Sequence, residues 1–196
     1  MSGLQVADEN STAERAARRL ALRQEMRRRR AALDAPTYQA HSAAINAHLR
    51  RFPCPQIAAF CWPIEQEPDV RAAIAFWCAA GSRAVLPVVT APATPLAFRA
   101  WTPATPLAAD RYGIPTPTAG AWLQPDLILL PLNAFDAAGY RLGYGGGFFD
   151  RTLAALRPRP LAVGVGFEIN RVADIEPEAH DQRLDWIVTE EGAWKV

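Results

Sequence analysis

The sequence predicts an α/β fold, namely a single three-layer α/β/α domain with a mostly parallel central sheet. Short apolar runs of strand length alternate with helical patterns along the chain, and no internal repeat divides it. Half of the 196 residues are apolar and 21% are charged, which is enough for one sizeable core. We assign residues 1–10, which are small and polar, to a disordered N-terminal tail and residues 11–196 to the domain.

The first element is a long helix that carries a strip of arginines. Between Ser11 and Leu33 there is neither Gly nor Pro, and Ser11 with Glu14 forms a capping box. At 100° per residue Leu22 and Met26 share one apolar stripe with Leu33. The neighbouring strip consists of arginines 19, 23, 27 and 30. These arginines form either a solvated face or the wall of a cleft.

The remaining elements follow from apolar runs and from Gly and Pro punctuation. Proline excludes long helices from residues 90–125, so we expect a meandering segment packed over the sheet, with one strand at 96–101. The other predicted elements are helices at 37–51, 69–80 and 148–156 and strands at 56–62, 83–89, 126–131, 161–166 and 186–189.

Charge and composition exclude several classes of function. The formal net charge is +1, which points to neither nucleic acid nor a membrane surface as a partner. Lys195 is the only lysine, so phosphate binding would depend on arginine. The three cysteines contain no C-x-x-C pair, which suggests neither a disulfide framework nor a zinc site. Without a signal-peptide pattern or a span of about 18 apolar residues, we expect a cytoplasmic protein. We also expect a monomer.

Five of the twelve glycines lie within the nine residues 139–147, between a predicted buried strand and a helix. Glycines in this context let backbone N–H groups converge on an anion beside a helix N-terminus. The pattern is not a P-loop, because no G-K-[ST] follows, and Phe148 replaces the third glycine of a dinucleotide fingerprint. We therefore predict a phosphate-binding loop of another kind, with a flexible turn as the alternative.

Polar side chains near this loop are candidates for binding phosphate and metal. Arg141 precedes the glycines and is suited to a bidentate pair with phosphate. Asp150 lies in the first turn of the next helix, where it either satisfies the helix terminus or holds Mg²⁺ beside a polyphosphate. His180 and Asp181 lie in a loop between two strands, where solvent exposure is the plainer interpretation.

An acidic segment follows the first predicted strand. It reads WPIEQEPD and carries Glu65 and Glu67 next to Trp62. Carboxylates at the end of a buried strand are suited to a ring that bears N–H donors. Alternatively, Glu67, Pro68 and Asp69 simply begin the next helix.

Four segments together resemble the 5-formyltetrahydrofolate cyclo-ligase family. The stretch DLILLPLNAFDAAGYRLGYGGGFFDRTL is similar to the family signature. LRQEMRRRRAAL resembles its opening arginine helix, WPIEQEPDV its acidic segment and PEAHDQRLDWIVTE its closing segment. The segments follow the family's order over residues 19–190. The chain departs from the family at Phe148 and Phe149, where tyrosines are common, at Arg19, where lysine is frequent, and at Asn170, where glutamine is frequent.

The resemblance implies a Rossmann-like fold of the cyclo-ligase type. It also implies an enzyme that uses ATP and Mg²⁺ to convert 5-formyltetrahydrofolate into 5,10-methenyltetrahydrofolate, with release of ADP and phosphate. Arg141 and Tyr144 are the catalytic candidates, and Asp150 and Asp181 are the implied metal ligands. The implied ATP-binding residues are Arg19, Arg23, Arg141, Leu142, Gly143, Tyr144, Gly145, Gly146, Gly147 and Phe148. The implied folate-binding residues are Trp62, Glu67, Tyr144, Gly145, Gly146, Gly147 and Phe148.

The chemistry of this substrate explains the need for ATP. A formamide oxygen is a poor leaving group, and phosphorylation of that oxygen lets the neighbouring amine close the ring. Two alternatives remain open on sequence grounds. One is another nucleotide-dependent kinase or ligase on the same scaffold, and the other is a nucleic-acid-binding module built on the helix of residues 15–30.

Overall fold

The computed structural model describes residues 3–196, with side chains from residue 13 onward. The helices are α1 (Gly3–Ala31), α2 (Ala35–Leu49), α3 (Arg71–Ala79) and α4 (Phe148–Ala155), with a 3₁₀ turn at Glu168–Asn170. The strands are β1 (Ile57–Ala59), β2 (Arg83–Val88), β3 (Ala97–Trp101), β4 (Leu107–Ala109), β5 (Pro115–Pro117), β6 (Leu127–Pro131), β7 (Ala134–Phe135), β8 (Arg141–Leu142), β9 (Leu161–Val165), β10 (Trp186–Thr189) and β11 (Gly192–Lys195).

A seven-stranded sheet in the order β11-β10-β9-β6-β1-β2-β3 forms the centre of the protein. The five inner strands are parallel, and the edge strands β11 and β3 are antiparallel to their neighbours. Two separate hairpins, β4-β5 and β7-β8, lie outside this sheet. The predicted mostly parallel sheet is therefore confirmed.

Helices cover both faces of the sheet because alternate residues of each strand point to opposite sides. In β6, Leu127 and Leu129 pack in one core cluster with α2 and α3, where Trp77 is fully buried. Ile128 and Leu130 pack in the opposite cluster with Leu153 of α4. The predicted three layers are confirmed.

Helix α1 packs on the β7-β8 hairpin through a third, smaller cluster. Met26 is 1% exposed and contacts the cluster formed with Ala134, Leu142 and Ile175. The apolar stripe predicted from Leu22 and Met26 is thus the face that holds the helix against the hairpin. The arginine strip lies beside this face, so the packing of the helix places the arginines next to the β7-β8 hairpin.

The N-terminus differs from the sequence prediction. Helix α1 begins at Gly3 and not at Ser11, so residues 3–10, which were expected in a disordered tail, continue the helix. No Gly or Pro interrupts the chain between Gly3 and Pro36, which explains the continuation. Residues 1 and 2 lie outside the described residues. The single domain over residues 11–196 stays a prediction.

The sequence analysis also failed to predict several short strands. Strands of two to four residues, such as β4, β5, β7, β8 and β11, carry too few residues for a periodic pattern. The proline-rich segment does pack over the sheet, because β3 joins its edge and β5 contacts β2. None of the helices in residues 3–196 combines the length and apolar character that a membrane span requires.

Candidate active site

A cavity of about 470 Å³ lies at the carboxyl ends of three neighbouring parallel strands. Its lining includes Trp62, which follows β1, Val89, which follows β2, and Pro131, which ends β6. Open α/β sheets bind ligands at this edge, because the loops that leave the strands diverge there. The arginine strip of α1 and the loop of residues 143–147, here called the glycine loop, close the cavity from the other side.

The glycine loop needs glycine for different reasons at different positions. Gly145 has φ +94° and Gly147 has φ +61°, a region that side chains with a Cβ rarely adopt. Gly146 does not have a positive φ, but a Cβ there would lie 2.8 Å from the ring of Phe148. Gly147 is also the N-cap of α4, so the loop presents backbone at the start of a helix. This is the context predicted for an anion-binding loop.

Three arginines of α1 line the cavity, which confirms the cleft interpretation of the strip. They are Arg19, Arg23 and Arg27. Arg23 Nε donates to the carbonyl oxygen of Gly143 at 2.8 Å and so ties the helix to the glycine loop. Burial lowers the pKa of Arg23, and the neighbouring charge of Arg19 lowers it further.

Arg19 and Asp181 form an ion pair across the cavity mouth, although 162 residues separate them in sequence. Arg19 Nη1 donates to Asp181 Oδ2 at 2.9 Å, and Nη2 donates to Oδ1 at 3.4 Å. Burial alone would raise the pKa of Asp181, but hydrogen bonds from Arg19 and from the Glu178 N–H outweigh it and lower the pKa. The Asp181 side chain is 6% exposed, so the expected solvent-exposed loop residue is wrong. His180 does remain 70% exposed.

Arg141 and Asp150 form a second ion pair at the base of the loop. Arg141 Nη2 donates to Asp150 Oδ1 at 3.1 Å, and the Gln182 N–H donates to the same oxygen at 2.9 Å. Asp150 therefore joins β8 to the loop before β10. It is not the N-cap of α4, since that position is Gly147. Burial lowers the pKa of Arg141, although the charge of Asp150 opposes this shift.

Glu67 and Tyr144 form the third polar group of the cavity. The Tyr144 hydroxyl donates to Glu67 Oε1 at 2.5 Å, and the Ile64 N–H donates to Oε2 at 3.2 Å. Glu67 is only 5% exposed, and burial raises the pKa of its carboxyl. Burial and the adjacent carboxylate raise the pKa of the Tyr144 hydroxyl as well.

An unusual turn points Glu67 inward. Glu65 and Gln66 both have positive φ, +49° and +56°, a region that costs about 1–2 kcal/mol for a residue other than glycine. The alternative that Glu67 begins the next helix is wrong, because α3 begins at Arg71. Two consecutive strained residues beside a cavity are typical of a functional site.

The β4-β5 hairpin contributes a wall that the sequence did not predict. Tyr112, Ile114 and Thr116 line the cavity, and the Tyr112 ring meets Phe148 edge to face with 6.0 Å between centroids. The density of proline in this segment excluded helix but gave no sign of what it would face. A Tyr-Gly dipeptide followed by Ile-Pro was the only local signal of an exposed aromatic turn.

The cavity brings together nearly all the predicted residues. Its lining includes Arg19, Arg23, Trp62, Glu67, Arg141, Gly143, Tyr144, Gly145, Gly146, Gly147, Phe148, Asp150 and Asp181. Leu142 is the exception. It is fully buried against Met26 and its side chain does not line the cavity, because residues along β8 alternate and Arg141 takes the inward position.

Two carboxylates, Asp150 and Asp181, are the candidates for holding a cation. No group of three or more His, Cys, Asp or Glu side chains with metal-binding geometry occurs among the residues whose side chains are described. Mg²⁺ in nucleotide sites uses one or two carboxylates and completes its shell with phosphate oxygens and water. Within the described part of the chain, both hydrogen bonds to Asp150 reach Oδ1 and none reaches Oδ2. The donor set therefore fits a nucleotide-bound Mg²⁺.

Comparison with known proteins gives one consistent result. The model of the 5-formyltetrahydrofolate cyclo-ligase family matches residues 15–190. The chain is 31% identical to 5-formyltetrahydrofolate cyclo-ligase of Mycolicibacterium smegmatis over 137 residues, which is 65% of this chain and 70% of the relative. It is 33% identical to the Escherichia coli K12 protein of the same name over 123 residues, or 59% of this chain and 68% of the relative.

Solved structures agree with the sequence matches. The NMR structure of Aquifex aeolicus 5,10-methenyltetrahydrofolate synthetase is 26% identical, with a TM-score of 0.77 over 90% of this chain and 92% of that one. The synthetase structure from Mycoplasma pneumoniae is also 26% identical, with a TM-score of 0.73 over 88% and 98% of the two chains. The family match covers the arginine strip of α1, the glycine loop and both ion pairs, and the chain accordingly belongs to the 5-formyltetrahydrofolate cyclo-ligase family.

Proposed function

We propose that this cavity binds ATP and 5-formyltetrahydrofolate side by side and transfers the γ-phosphoryl group to the formyl oxygen. One observation carries the proposal. The glycine loop lies between an arginine-carboxylate cluster, which suits phosphate, and the buried Glu67 carboxylate, which suits a heterocycle with N–H donors. The nucleic-acid alternative is weaker because the arginines line this cavity. The kinase alternative is weaker because phosphate transfer alone gives no reason for the buried Glu67 carboxylate.

The phosphate end consists of Arg19, Arg23, Arg141 and the backbone of the glycine loop. Arg23 already contacts the Gly143 carbonyl, so its guanidinium lies at the loop where a triphosphate would lie. Arginine forks and converging N–H groups together stabilise the charge that spreads over the transferring phosphoryl oxygens. Arg141 is held by Asp150, which fixes its direction before a ligand arrives.

Asp150 and Asp181 would hold Mg²⁺ at this end. When bound, the ion neutralises phosphate charge and stabilises the leaving ADP. Asp181 is paired with Arg19, so it would be available to a cation only if the Arg19 guanidinium turned to phosphate. Arg19 would then contribute to nucleotide binding.

The folate end consists of Trp62, Glu67, Tyr144, Tyr112 and Phe148. Glu67 accepts hydrogen bonds from ring N–H donors, and the aromatic side chains cover the faces of the ring. Phe148 has no hydroxyl, but Tyr112 lies against it and brings one to the same wall. Tyr144 belongs to the glycine loop and to the Glu67 pair, so it lies where the two ligands meet.

The reaction needs no nucleophile from the protein. The formyl oxygen attacks the γ-phosphorus and ADP leaves. The neighbouring folate amine then attacks the formyl carbon, a proton is lost from that amine, and the C–O bond breaks with release of phosphate. Positioning and electrostatics supply the rate enhancement.

The test is direct. The protein incubated with 5-formyltetrahydrofolate, ATP and Mg²⁺ should produce the strong near-ultraviolet absorption of the methenyl product. Omission of ATP should abolish the signal, and Glu67→Gln should weaken folate binding more than ATP binding. ATP hydrolysis without the methenyl signal would refute the proposal.

A further inference from the structure

Arg30 is the most deeply buried charged side chain beside the cavity. It is 1% exposed, yet it lies on the same strip of α1 as the arginines that line the cavity. Arg30 Nε donates to the Glu65 carbonyl oxygen at 2.9 Å, and Nη1 donates to Asn133 Oδ1 at 3.0 Å. Nη2 reaches the Tyr144 hydroxyl at 3.4 Å. A guanidinium buried at this cost is expected to have partners that depend on it.

The hydrogen bonds run from Arg30 through the Tyr144 hydroxyl to Glu67. A guanidinium only donates, so the Tyr144 hydroxyl accepts from Arg30 and directs its own proton to Glu67 Oε1. The other carboxylate oxygen accepts from the Ile64 N–H. Both Glu67 oxygens therefore act as acceptors, an arrangement that favours the ionised carboxylate.

Arg30 also holds the strained turn that delivers Glu67. Its Nε contact reaches the carbonyl of Glu65, the first of the two residues with positive φ. The guanidinium thus contacts the backbone two residues before Glu67 and the hydroxyl that contacts its side chain.

We propose that Arg30 is a positioning residue for the folate end of the cavity: it orients the Tyr144 hydroxyl and the turn at residues 64–67 so that Glu67 presents an ionised carboxylate to the substrate. The inference rests on the proposed function, in which Glu67 accepts hydrogen bonds from the folate ring. It assigns to a buried arginine of α1 a role in binding the second ligand, whereas Arg19 and Arg23 of the same helix face the phosphate end.

The charged and titratable groups around Glu67 define the expected pH dependence. Burial raises the pKa of Glu67 and the nearby Glu65 carboxylate adds to this, whereas the hydrogen bonds from Tyr144 and the Ile64 N–H and the Arg30 charge act to keep Glu67 ionised. Arg27 and the half-buried Cys61 also lie within electrostatic range, and the Tyr38 hydroxyl donates to the Glu67 carbonyl oxygen. Protonation of Glu67 removes an acceptor, so folate affinity should fall on the acidic side, and loss of Arg30 should move that fall to higher pH.

The experiment is a pH series of 5-formyltetrahydrofolate binding, measured by quenching of tryptophan fluorescence without ATP or Mg²⁺. The acidic limb is the pH range in which folate affinity falls as Glu67 becomes protonated. Arg30→Gln should move the midpoint of this limb to higher pH by about one unit relative to the unmutated protein. Arg30→Lys keeps the positive charge, so its limb should lie close to that of the unmutated protein. Arg29→Gln is the matched control, because Arg29 is on the same helix and pairs only with Glu25 among the described side chains. An unmoved limb in a folded Arg30→Gln protein overturns the proposal.

A second variant decides the question if Arg30→Gln does not fold. Tyr144→Phe removes the hydroxyl that links Arg30 to Glu67. Because Tyr144 is 41% exposed, the substitution should leave the protein folded, and it should also move the limb to higher pH. A limb that stays in place would overturn the proposal. Glu67→Gln separates this outcome from failure of the proposed function. If Glu67→Gln binds folate normally, the assignment of Glu67 to folate binding is wrong. If Glu67→Gln binds folate weakly but the limb does not move in Arg30→Gln or Tyr144→Phe, only the role of Arg30 is refuted.

Discussion

Replacement of Asp150 by Asn separates the structural and metal-binding roles of this carboxylate. Asp150 Oδ1 accepts from the Arg141 guanidinium and from the Gln182 N–H. Asn keeps an acceptor oxygen but loses the charge, so each bond falls from the charged to the neutral range, a loss of about 1 kcal/mol. The total is about 2 kcal/mol, or a melting temperature lower by about 4–8 °C for a chain of this length.

The metal role predicts a second, separate effect. Asp150→Asn should weaken the Mg²⁺-dependent part of ATP binding by at least about tenfold, because one of two candidate ligands is lost. Calorimetric titration of ATP at several Mg²⁺ concentrations measures this, and thermal melting measures the stability loss.

A matched control exists elsewhere in the chain. Asp185 Oδ2 accepts from Arg159 Nη1 and from the Ala162 N–H, both at 2.7 Å, and Asp185 does not line the cavity. Asp185→Asn should therefore lose stability and keep its Mg²⁺ dependence. If Asp150→Asn behaves in the same way, Asp150 is a structural residue and its assignment as a metal ligand is refuted.

Three further predictions concern the phosphate end. Gly145→Val forces a branched side chain into φ +94° beside the Arg23 guanidinium and should abolish ATP binding, whereas Gly143→Ala, with nothing within 4 Å of its Cβ, should bind ATP normally by calorimetry. Arg23→Gln should raise the dissociation constant of ATP about tenfold and leave that of folate unchanged; an equal change in both would contradict it. Because the pKa of Asp181 is lowered in the folded protein, the stability that its Arg19 pair contributes is complete above the unfolded pKa of about 3.9 and is lost as the pH falls below it. Urea unfolding between pH 5 and 2 should thus show a shallower loss for Arg19→Gln than for the unmutated protein, and equal slopes would exclude this contribution.

Local patterns predicted the layers, the sheet and the glycine loop, because the residues that specify them are contiguous. The arginine strip was predicted as a strip, but its position in the cavity depends on how Met26 packs against the β7-β8 hairpin. The Arg19–Asp181 pair joins opposite ends of the chain, and no spacing rule within one element reaches across 162 residues.

The folate end was less accessible to sequence reasoning. The inward direction of Glu67 depends on positive φ at Glu65 and Gln66, which are not residues that favour that conformation. Only tertiary contacts, including the one from Arg30 to the Glu65 carbonyl, account for the turn. The wall formed by Tyr112 depends on how a proline-rich hairpin folds over the sheet, and proline content predicts only that the segment is not helical.

The fate of the formyl oxygen tests the central claim most directly. If the cavity phosphorylates this oxygen, 5-formyltetrahydrofolate labelled with ¹⁸O in the formyl group should yield inorganic phosphate that carries one ¹⁸O atom for each methenyl product formed. Mass spectrometry of the released phosphate and the near-ultraviolet absorption of the product give the two quantities. Unlabelled phosphate in an amount equal to the methenyl product would mean that water, and not the formyl oxygen, receives the phosphoryl group, and it would contradict the account.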